Sequence, residues 1–164
     1  MSGGFNYTSS LLDNPSGKLR TFAVPVSHAS LISVGDVVRV TGTADASGNQ
    51  QVDVATATQS VTGVIASIVP DYSTESFTDI KLLASTAGTV RVIVDPHGEF
   101  EVDVSNGPLV VADVDLNVDL VATAATTTGG ITVSNMTVNA TGKATTSTLP
   151  FRVIGLVVGS DGVL

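Results

Sequence analysis

Cysteine and tryptophan are absent from this chain, and its 164 residues include only five Phe and two Tyr. Without cysteine there is no disulfide framework, no thiol nucleophile and no cysteine-ligated zinc. Stability has to come from packing, hydrogen bonds or neighbouring subunits. Basic residues are scarce too: seven Lys and Arg stand against fifteen Asp and Glu, for a formal charge of −8 and a pI near 4.3. The seven (Lys18, Arg20, Arg39, Lys81, Arg91, Lys143 and Arg152) are scattered along the sequence. The overall field repels phosphate backbones, so direct nucleic-acid binding is not expected. Long apolar runs are missing as well. None approaches the roughly 20 residues that a membrane helix needs, and no membrane partner is expected. The opening Met1-Ser2-Gly3-Gly4-Phe5-Asn6 has no basic region and no apolar core, so no secretory signal is expected from it.

What the chain does have is Val, Thr, Ala, Ser and Gly in abundance, with 43% hydrophobic residues and a mean hydropathy of +0.40. That is too apolar for disorder of the low-hydrophobicity kind. Val and Thr are stiff at the first side-chain torsion, as strands favour, and the length suits one domain. Short strand-like segments recur: "GDVVRVTG" at 35–42, "QQVDVAT" at 50–56, "QSVTGVIASIV" at 59–69 and "TDIKLLA" at 78–84. Asp95-Pro96-His97-Gly98 has the residue choices of a type I turn, and predicts that residues 89–95 and 99–104 pair as an antiparallel hairpin. Asn106-Gly107 marks a second turn, and the stretch from 109 onward opens with a brief helical turn before extending. No long helix is predicted. The fold class expected is all-β: a single antiparallel barrel over residues 21–164, with Val38, Val40, Val64, Ile68, Val92, Val94, Val102, Val104, Val153 and Ile154 in core or sheet-packing positions.

Residues 1–20 show neither helical nor strand periodicity and read as an extended N-terminal arm. Phe5, Tyr7, Leu11 and Leu12 carry apolar area there with no local pattern to bury it. The expectation is an arm that is mobile in the free protein and becomes ordered against a neighbouring subunit or partner protein.

Chemistry-bearing patterns are weak. "DVDLNVDL" at 113–120 spaces Asp113, Asp115, Asn117 and Asp119 like calcium-loop ligands, but Val118 stands where such a loop needs Gly and Ala124 where it needs Glu. The alternation with Val114, Leu116, Val118 and Leu120 is that of an edge strand with a polar face, so no metal is expected. His28 and His97 have no Gly-x-Ser-x-Gly elbow to serve, and "TTTGG" at 126–130 lacks the Lys of a phosphate loop. Glu99 and Glu101 share a strand face but no evident cleft. Asn135 and Asn139 match the glycosylation pattern and are not expected to be used. No cofactor and no enzymatic activity are expected.

The order "VPVSHASLISVGDVVRVTGT", "SVTGVIASIVPDY", "VRVIVDPHGEFEV", "ADVDLNVDLVA" and "LPFRVIGLV", spanning about residues 21 to 158, resembles tailed-bacteriophage head decoration or capsid cement proteins. The resemblance implies a β-barrel or β-tulip-like domain on the outer capsid surface of the virion. There it would bind the major capsid protein, bridge neighbouring copies as a homo-oligomer or through lattice contacts, and stabilise the shell without chemistry. In that setting Phe5, Tyr7, Leu11 and Leu12 become the expected capsid or subunit contacts. The alternative is a carbohydrate-binding or adhesive module, which would have to stack sugars on Tyr7, Tyr72 or Phe77 and use the "PDYSTESF" loop at 70–77.

Overall fold

The structure, a computed structural model, describes residues 3–10, 18–70 and 81–157. Strand β1 is Asn6–Ser10, and β2 to β6 are Leu19–Val24, Val37–Ala44, Gln50–Val54, Gly63–Val69 and Gly88–Ile93. Two short strands follow, β7 (Gly98–Glu101) and β8 (Val104–Ser105). A 3-10 turn at Val111–Asp113 leads to β9 (Asn117–Val121), β10 (Thr126–Thr128), β11 (Ile131–Val133), β12 (Thr137–Ala144) and β13 (Phe151–Arg152). The protein is all-β, as its composition predicts, and the brief helical turn falls in the stretch expected to hold one.

Five strands pair in a ring, β2-β4-β3-β5-β6, and close a barrel. Six residue pairs join β2 to β6, from Leu19↔Ile93 to Val24↔Gly88, whereas β2 meets β4 at the single parallel pair Ala23↔Gln51. Phe22, Val24, Val38, Val52, Val90 and Val92 fill the interior by strand alternation. Ile65 and Ile68 both join them, although they are three apart, because a bulge between Ile65 and Ser67 inserts one residue and resets the alternation. Gly63 is required where β5 runs against β6, since a Cβ there would collide with the Ile93 carbonyl.

Part of the barrel's outer face is also buried. Val37, Ala55 and Val64 face a second core, shared with Val118, Leu120, Val138 and Ala140 of a four-stranded sheet ordered β13-β9-β12-β8 and with Met136 and Val153 next to its strands. The neighbours Val37-Val38 and Val64-Ile65 thus supply one buried side chain to each core. Each such burial is worth roughly 1.5–3 kcal/mol.

Three expectations change. The barrel uses only β2 to β6, the strands after residue 103 form the separate four-stranded sheet and the two-stranded β10-β11 ribbon, and β2–β4 and β8–β12 are parallel rather than antiparallel. The predicted hairpin does not form, although its turn does: Gly98 N–H donates to Asp95 O at 3.1 Å and His97 N–H to Asp95 Oδ1 at 3.0 Å. Both edges of β6 are already taken, by β2 and β5, so β7 pairs with β1 instead, through Tyr7↔Phe100 and Asn6↔Glu101. Finally, "DVDLNVDL" is strand only from Asn117 onward, after Asp115 turns the chain at φ +76°, and β9 lies inside its sheet between β13 and β12, not at an edge.

Of the ten expected core positions, Val38, Val64, Ile68, Val92 and Val153 are buried, and Val40, Val94 and Val102 are partly buried against one core or the other. Val104 and Ile154 are exposed.

Candidate functional site

Where the barrel, the β1–β7 ribbon and the second sheet come together they leave a cleft of about 980 Å³. Gly63, Ile93 and Val94 line it from the barrel, residues 98–104 from β7 and its continuation, and residues 150–157 from β13 and the extended chain that follows. Among the described residues, β7 has a strand partner only on its β1 side, and β13 only on its β9 side. Among the described residues, each therefore has a second edge that is not part of any ladder, and both strands line the cleft. Phe5 sits between them, its ring 6.2 Å from Phe100 of β7 in an edge-on contact and 4.7 Å from Phe151 of β13.

The cleft is apolar at its rim and acidic on one wall. Ile154 and Val157 are 57% and 66% exposed, Val104 is another exposed lining residue, and Val110 and Val111, also exposed, follow directly on the lining residues Pro108 and Leu109. The charged lining residues are Asp95, Glu99, Glu101 and Asp103 against Arg152, with His97 beside them. Asp95 is held below the usual carboxylate range, first by the Ser10 hydroxyl and then by the His97 N–H, with Lys18 3.9 Å away. Glu99 accepts the Ser9 hydroxyl at 2.5 Å, and Arg152 turns to Asp115 at 2.8 Å. Glu101 and Asp103 have no side-chain hydrogen bond or ion pair among the described residues, which leaves two carboxylates uncommitted on the wall.

Of the expected contact residues, Phe5 is 3% exposed and belongs to the second core, and Tyr7 is half-buried with its ring 5.6 Å from Phe100. Phe5 is therefore unavailable to a partner surface and Tyr7 is available only in part, because β1 has found its partner within the chain. The Tyr7 hydroxyl is buried without a hydrogen-bond partner among the described residues. Leu11 and Leu12 lie outside the described residues, as do Tyr72 and Phe77. The arm reading is thus corrected for residues 3–10: Phe5 N–H donates to Gly35 O at 3.0 Å, and side chains at Gly3 and Gly4 would strike Ser134. A glycine pair makes this approach possible, and in sequence it is indistinguishable from a flexible end.

The other candidate groups go separate ways. His28 is fully buried, with Nδ1 and Nε2 each 2.9 Å from a backbone carbonyl, of Ser30 and Thr86, so its ring ties two loops together. His97 is exposed in its turn. Asp113 is buried and receives Lys143 at 2.6 Å and the Val110 N–H at 2.8 Å. These hold its carboxyl below the usual range, Lys143 foremost. Asp119 accepts the Thr58 N–H at 2.9 Å, which fastens the second sheet to the barrel, and Asn117 donates to Thr146 O at 2.8 Å. Among the described residues, the evenly spaced acidic side chains of residues 113–119 are part of no group that could hold a metal ion. The cleft escaped sequence reading because the exposed Val104 and Ile154 continue an alternation that elsewhere means burial.

Fold and site together describe an all-β protein with two cores, a docked N-terminal strand and an acidic cleft rimmed by exposed aliphatic side chains. Compared with protein-family models, with curated proteins and with solved structures, the chain finds no match in any of the three.

Proposed function

We propose that this chain is a structural protein of a tailed-bacteriophage virion, which binds the outer surface of the capsid and stabilises it by bridging major capsid proteins. The observation that carries the reading is the gathering of exposed aliphatic side chains, Val104, Ile154 and Val157, at one cleft, with Val110 and Val111 following its lining residues Pro108 and Leu109. Exposed apolar surface of this kind marks binding to another protein. The segment order from "VPVSHASLISVGDVVRVTGT" to "LPFRVIGLV" supports the same reading. With Phe5 committed to the chain's own core, the proposed capsid contact lies on the barrel and sheet surfaces together with Leu11 and Leu12.

The test is cosedimentation of the purified protein with empty capsid shells, followed by electron microscopy of shells with and without it. Retention on the shells, ordered density on their outer face and a higher temperature of shell rupture are the expected results. Shells that neither retain the protein nor gain stability would overturn the reading, and selective binding on a glycan array would move it to the adhesive class.

A further inference from the structure

Among the described residues the edge of β7 away from β1 and the edge of β13 away from β9 have no ladder partner, and both strands line one cleft, with the buried Phe5 ring packed against Phe100 and Phe151 at its base. We propose that this cleft binds an extended peptide segment of another protein, one that alternates apolar and basic side chains, as an inserted β-strand. Such a guest would join the order β1-β7 to the order β13-β9-β12-β8 and complete one continuous sheet across the cleft.

Three features define the guest. Backbone groups on the open sides of Gly98–Glu101 and Phe151–Arg152 have no ladder partner among the described residues, so the guest must be extended and must offer its own backbone. Val104, Ile154 and Val157 stand exposed in the lining, so one face of the guest must be apolar. The Glu101 and Asp103 side chains have no hydrogen-bond or ion-pair partner among the described residues, in a chain of net charge −8, so the other face must be basic. A second copy of this chain is a poor guest. Its two Val-Arg-Val stretches, residues 38–40 and 90–92, are built into barrel strands.

The inference stands apart from the virion reading: shells that fail to bind overturn that reading, and the experiment below decides this one. The full chain is titrated against a fluorescently labelled peptide of about eight residues alternating Val and Lys, a length suited to one strand. Controls are the same peptide with Glu for Lys, and one N-methylated at alternate amides. Gly155 lines the cleft, and a Cβ there meets nothing within 4 Å, so Gly155→Trp fills the cleft without disturbing the fold. The second variant, Glu101→Lys with Asp103→Lys, reverses the wall's charge and leaves its shape.

Saturable binding of the Lys peptide is expected, weakened about tenfold or more by either variant, by N-methylation and by the Glu exchange. Equal binding by the parent and Gly155→Trp, equal binding of the Lys and Glu peptides, or no binding at all would overturn the proposal. So would a dimer that Gly155→Trp converts to monomer, which would assign the cleft to a second copy. Tighter peptide binding after removal of residues 158–164 would give it to the chain's own tail, and overturn the proposal equally.

Discussion

Two buried aspartates respond to pH in opposite directions. Asp36 sits where residues 3–5, 33–37 and 132–136 meet, segments that contain no other ionisable side chain. Its Oδ2 accepts the Ser33 N–H at 2.8 Å, and Oδ1 completes no hydrogen bond among the described residues. Burial pushes its carboxyl up to about 6, against the opposing pull of the Ser134 hydroxyl and the Ser33 N–H. The folded state therefore holds its proton more tightly than the unfolded chain, and stability is lost as pH rises from about 4 through 6, by a total of about 3 kcal/mol. Asp36→Asn should raise the urea midpoint at pH 7.5 and remove most of the difference between pH 5 and pH 7.5. A parent protein equally stable at both values would sink this assignment. Asp113 has a lowered carboxyl pKa, so its contribution is present above the ordinary carboxylate range and lost as pH falls through it. Lys143→Met should therefore lower stability at pH 7 and shrink the loss on acidification, measured as melting temperature against pH. At Tyr7, the orphaned hydroxyl predicts that Tyr7→Phe is neutral or stabilising by about 1 kcal/mol. A clear loss of stability would mean that the hydroxyl has a partner.

At the scale of elements, the N-terminal strand is the one whose role changed most. β7 has no other strand partner among the described residues, and Phe5 supplies the ring between Phe100 and Phe151. Removal of residues 2–10 should therefore cost more than the roughly 3–5 kcal/mol of a Phe→Ala change in a core, and lower the melting temperature by about 10 °C or more. An unchanged melting temperature would return the segment to the status of a loose arm. Gly4 has φ +89° and faces Ser134, so Gly4→Ala should undo part of the same docking through strain and collision, with the loss read in the same melting experiment. Strand character was legible in this region only from β2 onward. "FNYTSS" alternates no more clearly than a loop does, and its pairing is with residues about 90 positions away.

For the whole molecule, the two cores share strands: β3 gives Val37 to one and Val38 to the other, and β5 does the same with Val64 and Ile65. Neither core can be lost while the other keeps its walls, so unfolding should be a single transition, with Leu120→Ala in the sheet and Ile65→Ala in the barrel shifting it together by about 2–5 kcal/mol each. Two resolved transitions, each answering to one substitution, would show the cores to be independent. The sequence by itself determined the class. Abundant Val and Thr, short alternating runs and well-formed turns leave little but β structure, and the absence of cysteine leaves packing to hold it. It also located the Asp95–Gly98 turn, because that chemistry is local. Only the tertiary structure decided which strands pair, where the barrel ends, that Phe5 is interior, and that Ile154 and Val104 line an open cleft. The reason is that alternation records whether a strand has a buried face but not what buries it: a strand has two edges, and which neighbour occupies each is settled by competition among segments far apart in sequence.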